Sequence, residues 1–262
     1  MDKPQECYVA FLDILGFRDF VEAKKPEYVQ KYLSCLRDAS KAFNLSQLSY
    51  AIKIFSDSII ISVPVEQSGE YLKDTKFLLY INTFLLHNII DDSLGELPLR
   101  GAITKGNFFT DESEIIFGKA LIEAHYFESK KAQNPRVLVM TGEFCPEKAK
   151  EGAGRLDKAL QPSDSDFYKK LKNLLNESKE QSELRCRDTD GHLFCNYLSA
   201  LRKLDGGWVP HYKSAVGSHR NFILKKLTEV HSDGTRDKYN WMKKYHNWFC
   251  SGYTELNNFT IQ

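Results

Sequence analysis

The feature that most constrains the fold is a pair of apolar runs, each of which ends or breaks at an aspartate. Cys7-Tyr8-Val9-Ala10-Phe11-Leu12 is continuously apolar and stops at Asp13. A run of that kind reads as a strand buried on both faces. Ile14-Leu15-Gly16-Phe17 then leads into helical spacing from Arg18 through Ala23, and Pro26 opens a second helical stretch to about Phe43. The second run, Tyr50 to Val65, carries Ile52, Ile54, Ile59, Ile60 and Ile61 and is interrupted by Ser56-Asp57-Ser58. Its β-branched content favours strand over helix, and the interruption predicts a hairpin with Asp57 at or near its tip.

Downstream, Tyr71–Asp91 places Leu78, Leu79, Ile81, Phe84, Leu85 and Ile89 at helical intervals, which predicts a helix packed on a sheet. Leu97–Lys105 reads as a strand with a turn at Gly106-Asn107. Glu114–Phe117 reads as a short strand stopping at Gly118, followed by a helix to about Lys130, and Arg136–Met140 reads as one more strand. This alternation predicts an α+β fold: a mixed, mainly antiparallel sheet with packed helices. From Ala149 to Arg187 the chain is rich in Lys, Glu, Ser and Asp, as expected of a solvated helical insertion. Two amphipathic segments, Tyr212–Val230 and Arg236–Phe249, predict a C-terminal helical extension. The expected division is a catalytic domain over 1–148 and the insertion plus extension over 149–262, packing on it.

The 262 residues carry a formal charge of +1, so the electrostatic footprint of a duplex nucleic-acid binder is absent and a small-molecule ligand is the better expectation. No window approaches the ~20 apolar residues of a membrane helix, and the polar start Met1–Glu6 shows no secretory signal. A soluble, cytoplasmic chain without a membrane partner is expected. The cysteines Cys7, Cys35, Cys145, Cys186, Cys195 and Cys250 form no C-x-x-C pair, which suits a reducing compartment and argues against a zinc knuckle. His211, His219, His231 and His246 match no zinc spacing and read as structural histidines. The stripe Tyr239, Trp241, Tyr245, Trp248 reads as core or dimer interface.

Asp13 and Asp57 stand out chemically, because metal-assisted phosphoryl transfer needs hard oxygen ligands held rigidly at a sheet edge. With the Ile14 carbonyl they form a candidate set for two divalent ions, Mn²⁺ or Mg²⁺. The amides of Leu15, Gly16 and Phe17, at a helix start, are candidates to cradle a triphosphate. Either aspartate alone reads more readily as a turn former or helix cap; the pair with its flanks points to the site.

Those flanks resemble a known family. Phe11-Leu12-Asp13-Ile14-Leu15-Gly16-Phe17 is similar to the first metal motif of class III nucleotidyl cyclases, F-x-D-I-x-G-F. Lys53-Ile54-Phe55-Ser56-Asp57 resembles the second, K-x-x-G-D, with Ser for Gly. Arg100-Gly101-Ala102-Ile103-Thr104-Lys105-Gly106 resembles the R-x-G-I-x-x-G strand, and Gly118–Glu128 resembles the G-x-x-V-N-x-A-x-R-L-E helix. The match covers about residues 7–140. The family's base-reading positions fall at Lys53 and Ile115, and an isoleucine accepts no hydrogen bond from an adenine amine, so the base is expected not to be a purine. The usual transition-state Asn and Arg fall at Ile122 and Tyr126.

Phe11–Phe17, Phe55–Ser58, Arg100–Ile103 and Gly118–Glu128 also resemble the pyrimidine cyclases of bacterial anti-phage Pycsar systems, as does Lys238-Tyr239-Asn240-Trp241 with Tyr245-His246-Asn247. That resemblance implies a homodimer with sites at its interface, UTP or CTP as substrate, and cUMP or cCMP as a messenger activating a separate effector protein. Arg100, Lys105, Lys119 and Lys130 are candidate cations for the triphosphate, with Tyr126 at a catalytic position. Two rival readings remain. A diguanylate-type cyclase would carry a G-G-[DE]-E-F loop, which is absent; a non-catalytic nucleotide sensor would fit the lost Asn and Arg.

Overall fold

In the computed structural model the chain is described over residues 4–42, 51–65, 70–90, 97–110, 115–140, 184–200 and 212–262. The strands are β1 (Gln5–Ile14), β2 (Ala51–Phe55), β3 (Ser58–Pro64), β4 (Leu99–Thr110), β5 (Ile116–Phe117), β6 (Val137–Val139), β7 (Arg185–Arg187) and β8 (Leu193–Cys195). The helices are α1 (Phe17–Ala23), α2 (Pro26–Ala42), α3 (Glu70–Ile90), α4 (Lys119–Lys131), α5 (Tyr212–Glu229) and α6 (Asp233–Ser251). One sheet runs in the order β2-β3-β1-β4-β6-β8-β7, with β5 paired to β4. All pairings are antiparallel except β4 with β6. The first four strands and their helices form the split βαβ arrangement, in which β3 enters between β1 and β2. The expected α+β class is observed.

Strand alternation sorts the side chains onto two faces. Tyr8, Ala10, Leu12 and Ile14 of β1, with Ile59, Ile61 and Val63 of β3, join the main core formed with α2 and α3. Cys7 and Val9 face the other way, into a smaller cluster with Phe108 and Ala120 under α4. Phe11 lies on that second face against His125 of α4, with ring centroids 5.1 Å apart. The helix is held there by its small residues, Ala120 and Ala124, and by Thr104 Oγ1, which donates to the Ala120 carbonyl at 2.7 Å.

Two expectations change. The strand expected to turn at Gly106-Asn107 continues to Thr110, because Gly106, Asn107 and Phe108 pair with Cys7, Glu6 and Gln5 of β1. A long partner strand satisfies the backbone there and overrides the local turn preference of Gly-Asn. The sheet also does not end near residue 148: β7 and β8 add two strands beyond β6, so the region past 148 supplies sheet as well as helices. The rest of the expected insertion, 149–183, together with Cys145 and His211, lies outside the described residues.

Arg136 ties this late part of the chain down. It is 2% exposed, ion-paired to Asp188 and Asp190 in the β7–β8 link, and Trp241 Nε1 of α6 donates to the same Asp188 at 2.8 Å. A second link is a chain of neutral groups. Tyr197 Oη lies 3.0 Å from His219 Nε2, His219 Nδ1 lies 2.9 Å from His246 Nδ1, and His246 Nε2 lies 2.9 Å from the Phe259 carbonyl. The carbonyl accepts only, so His246 carries its proton on Nε2, His219 donates through Nδ1, and Tyr197 donates to His219. His219 and His246 are two of the four histidines expected to be structural, whereas His231 is exposed; burial lowers the pKa of the buried pair.

Two outcomes are expected. Arg136→Met should strip the half-buried Asp188 of its buried cation and lower unfolding free energy in urea by about 3 kcal/mol. The histidines stay neutral in the native chain but take up protons when unfolded, so stability falls as pH drops below their ordinary value of 6.5. A melting temperature that declines between pH 7 and pH 5 is expected; an unchanged one would show that the pair accepts charge.

Candidate active site

β1 carries Asp13 next to its end, with Ser58 opposite on β3 and Arg100 opposite on β4. Directly opposed residues share a face, so Asp13 and Arg100 point away from the main core. Asp57 occupies the two-residue link between β2 and β3, whose last pair is Phe55 with Ser58. The Ile14 N–H donates to the Asp57 carbonyl at 2.9 Å, which ties the end of β1 to the hairpin tip. Both predicted metal aspartates therefore sit at one end of the same sheet. The tip has a steric cost: Ser56 adopts φ 55, in the left-handed region that favours glycine.

The electrostatics of this end are dominated by burial. Arg100 Nε donates to Asp13 Oδ2 at 2.9 Å and lies 2.7 Å from Oε1 of Glu128, a buried carboxylate of α4. Burial pushes the Asp13 carboxyl above its ordinary range, Arg100 pulls it down, Asp57 pushes it up, and Lys238 of α6 pulls it down. Glu128 is likewise raised by burial, against the pull of Arg100 and with a push from Asp13. One guanidinium is thus shared between two carboxylates, with Asp57 near enough to repel the first.

Glu128 and Lys238 were absent from the candidate residues. Glu128 was detectable: Ala120, Ala124 and Glu128 recur every fourth residue, which puts the carboxylate on the sheet-facing side of α4. Lys238 is more than a hundred residues away in sequence and becomes visible only when α6 docks.

The remaining candidates scatter. Leu15 N–H already donates to the Pro98 carbonyl at 2.9 Å, so it anchors the turn, and Gly16 and Phe17 are the amides left to meet a ligand. Gly16 has φ 79, which suits its glycine. Lys53 of β2 lies on the face of Asp13, in line with Ile60 and Phe11. Ile115 lies beside β5, which pairs with the far end of β4, about 30 Å along the strand from Arg100 at ~3.3 Å per residue. Lys119 opens α4 and ion-pairs with Glu123 at 3.6 Å. Lys105 faces away from Asp13, over the Tyr8 ring, and Lys130 is exposed. Ile122 and Tyr126 stand 70% and 51% exposed on α4.

Among the described residues no group of three or more His, Cys, Asp or Glu side chains could hold a metal. Two carboxylates and one carbonyl nonetheless fit a hard divalent ion whose other ligands come from substrate phosphates and water.

Two stability effects should follow. Ser56→Gly should relieve the left-handed strain and raise unfolding free energy by about 1 kcal/mol. Because the folded pKa values of Asp13 and Glu128 are raised above 3.8 and 4.5, their contribution favours folding at acid pH and is lost as pH rises through the folded values. Asp13→Asn should therefore raise the melting temperature at pH 7, and a lower one would mean that the Arg100 pair outweighs burial.

No protein-family model matches the chain, and no curated protein matches it. Solved structures with similar architecture include the adenylyl cyclase CyaB from P. aeruginosa, at 14% identity and a TM-score of 0.41 over 61% of this chain and 84% of that one. The monomeric guanylyl cyclase domain of the RhoGC fusion protein from the aquatic fungus Blastocladiella emersonii gives 13% identity and a TM-score of 0.42, over 59% of this chain and 86% of that one. The guanylate cyclase domain of RhGC from Catenaria anguillulae gives 16% and 0.40, over 52% and 79%.

Proposed function

We propose that the chain is a pyrimidine nucleotide cyclase that converts UTP to 3′,5′-cyclic UMP and diphosphate, as the signal-producing component of a bacterial anti-phage system of the Pycsar kind. The observation that carries this reading is the half-buried Asp13, kept beside Asp57 although burial and mutual repulsion both disfavour its ionised form. Strain of that kind concentrates where charge is needed for function. CTP in place of UTP is the alternative substrate.

Cyclisation joins the ribose 3′-oxygen to the α-phosphorus while the bond from that phosphorus to the oxygen bridging to the β-phosphate breaks. Diphosphate departs with the bonding electrons, and the hydroxyl proton passes to water. Asp13, Asp57 and the Ile14 carbonyl would hold two divalent ions, which when bound lower the pKa of the hydroxyl and neutralise phosphate charge. The chain's own contribution is to position. Gly16 and Phe17 present amides to the phosphates, Leu15 fixes their turn through Pro98, and Arg100 supplies a cation that can move from Asp13 toward phosphate.

Lys53 and Ile115 are assigned to the base. Since Ile115 lies far along the sheet from Asp13 in one protomer, it would read the base bound at the partner's aspartates, in a homodimer with interfacial sites. Lys119 and Tyr126 would likewise act across the interface. Phe55 at 82% exposed, with Ile122 and Tyr126, supplies apolar surface for that contact.

A second reading, a nucleotide sensor without turnover, is favoured by the Arg100–Asp13 pair itself, which occupies one carboxylate oxygen. Purified protein incubated separately with ATP, GTP, CTP and UTP plus Mn²⁺ should give a cyclic product from one pyrimidine triphosphate, resolved by chromatography and mass spectrometry. Nucleotide binding without product from any of the four would establish the sensor. Asp57→Ala, which keeps the backbone bond to Ile14, should fold normally and reduce turnover at least about 10³-fold, the scale of losing a charge-stabilising group. Full activity in this variant would remove the two-metal assignment.

A further inference from the structure

A cleft of about 580 Å³ opens between the Leu15-Gly16 turn, Leu97 and Pro98 on one side and α5 and α6 on the other. That size is within the ~300–1,000 Å³ of small-molecule sites. Its wall carries four lysines, Lys24, Lys225, Lys226 and Lys238, against two carboxylates, Asp19 and Glu229. Glu229 lies 4.0 Å from Lys225 and 3.5 Å from Lys226, so it offsets part of that pair. Lys238 has no carboxylate within ion-pair distance among the described residues, and its charge reaches Asp13.

Like charges gathered in a concavity repel one another unless an anion joins them. Here Lys225, Lys226 and Lys238 converge beside the turn that follows Asp13, from helices outside the split βαβ unit. We propose that this cleft is a polyphosphate site, with Lys238 its principal cation and Lys225 and Lys226 its rim, receiving the distal phosphates of the nucleotide and releasing them as diphosphate. The assignment to the nucleotide rests on the cyclase reading above. The site itself requires only a polyphosphate anion. It gives α5 and α6 a role in the chemistry: they close the phosphate end of a site whose metal end is built by β1 and the β2–β3 hairpin.

Isothermal titration of the full chain with inorganic diphosphate tests the site apart from turnover. Lys238→Gln should weaken diphosphate binding about tenfold, the scale of one charge-assisted hydrogen bond, while Lys238→Arg should retain it. UTP should compete with diphosphate if the nucleotide is the source of the phosphates; lack of competition would assign the site to free diphosphate and overturn the nucleotide assignment. In the cyclase assay Lys238→Gln should raise KM for the triphosphate more than it lowers kcat. If no triphosphate is cyclised yet diphosphate binding still depends on Lys238, the site stands and the cyclase reading fails. If a cyclic product forms and Lys238→Gln leaves both diphosphate affinity and KM unchanged in a chain that melts like wild type, the site is overturned.

Discussion

The antiparallel pairing of β1 along both of its edges is the constraint on which the rest depends. Ten residues of β1 match Phe108 back to Leu99 on β4, while Cys7 to Asp13 match Pro64 back to Ser58 on β3. The side-chain period of a strand is two, so this register alone sends Leu12 and Ile14 into the core and Asp13 to the opposite face. A slip of one residue would put the carboxylate among α2 and α3 and expose the apolar set. The position of the candidate site is thus inherited from the same hydrophobic pattern that stabilises the sheet.

At the end of that strand the molecule holds an arrangement that packing does not favour. Asp13 and Glu128 share one guanidinium, Asp57 adds repulsion, and Ser56 sits in a backbone region better suited to glycine. Local rules are broken together within a few residues, while the surrounding strands obey them. Clustered departures of this kind are expected at functional sites, and this is the ground on which the proposed reading places one here. Arg100 then has a double character. It offsets the charge of Asp13 and Glu128, and in the proposed cyclase it would be the group that yields to an ion or phosphate.

Much of the fold was legible. The Cys7–Leu12 run, the isoleucine-rich hairpin and the spacing of Leu78 to Ile89 in α3 each carry a periodicity that only one element satisfies. Gly106-Asn107 misled, because a two-residue turn signal is weaker than ten residues of ladder on β1. β7 and β8 were not legible: each has three residues, too few to show alternation, and they exist as strands by lying beside β6. The flanks of Asp57 already mark a hairpin tip, whereas the role of Glu128 depends on Arg100, a residue of another element that only packing brings beside it.

The sequence by itself determined the strand order's raw material, the two strand-end aspartates and the glycine turn between β1 and α1, since these rest on local periodicity and on residues adjacent in the chain. Only the tertiary structure decided that Arg100 bridges Asp13 and Glu128, that Ile115 stands far from Asp13 along the sheet, and that Lys238 faces the Gly16 turn. The physical reason is range. Hydrophobic alternation acts between neighbours along the chain and leaves its mark there, but charge acts through space, and its partners are fixed only when strands and helices remote in sequence have packed.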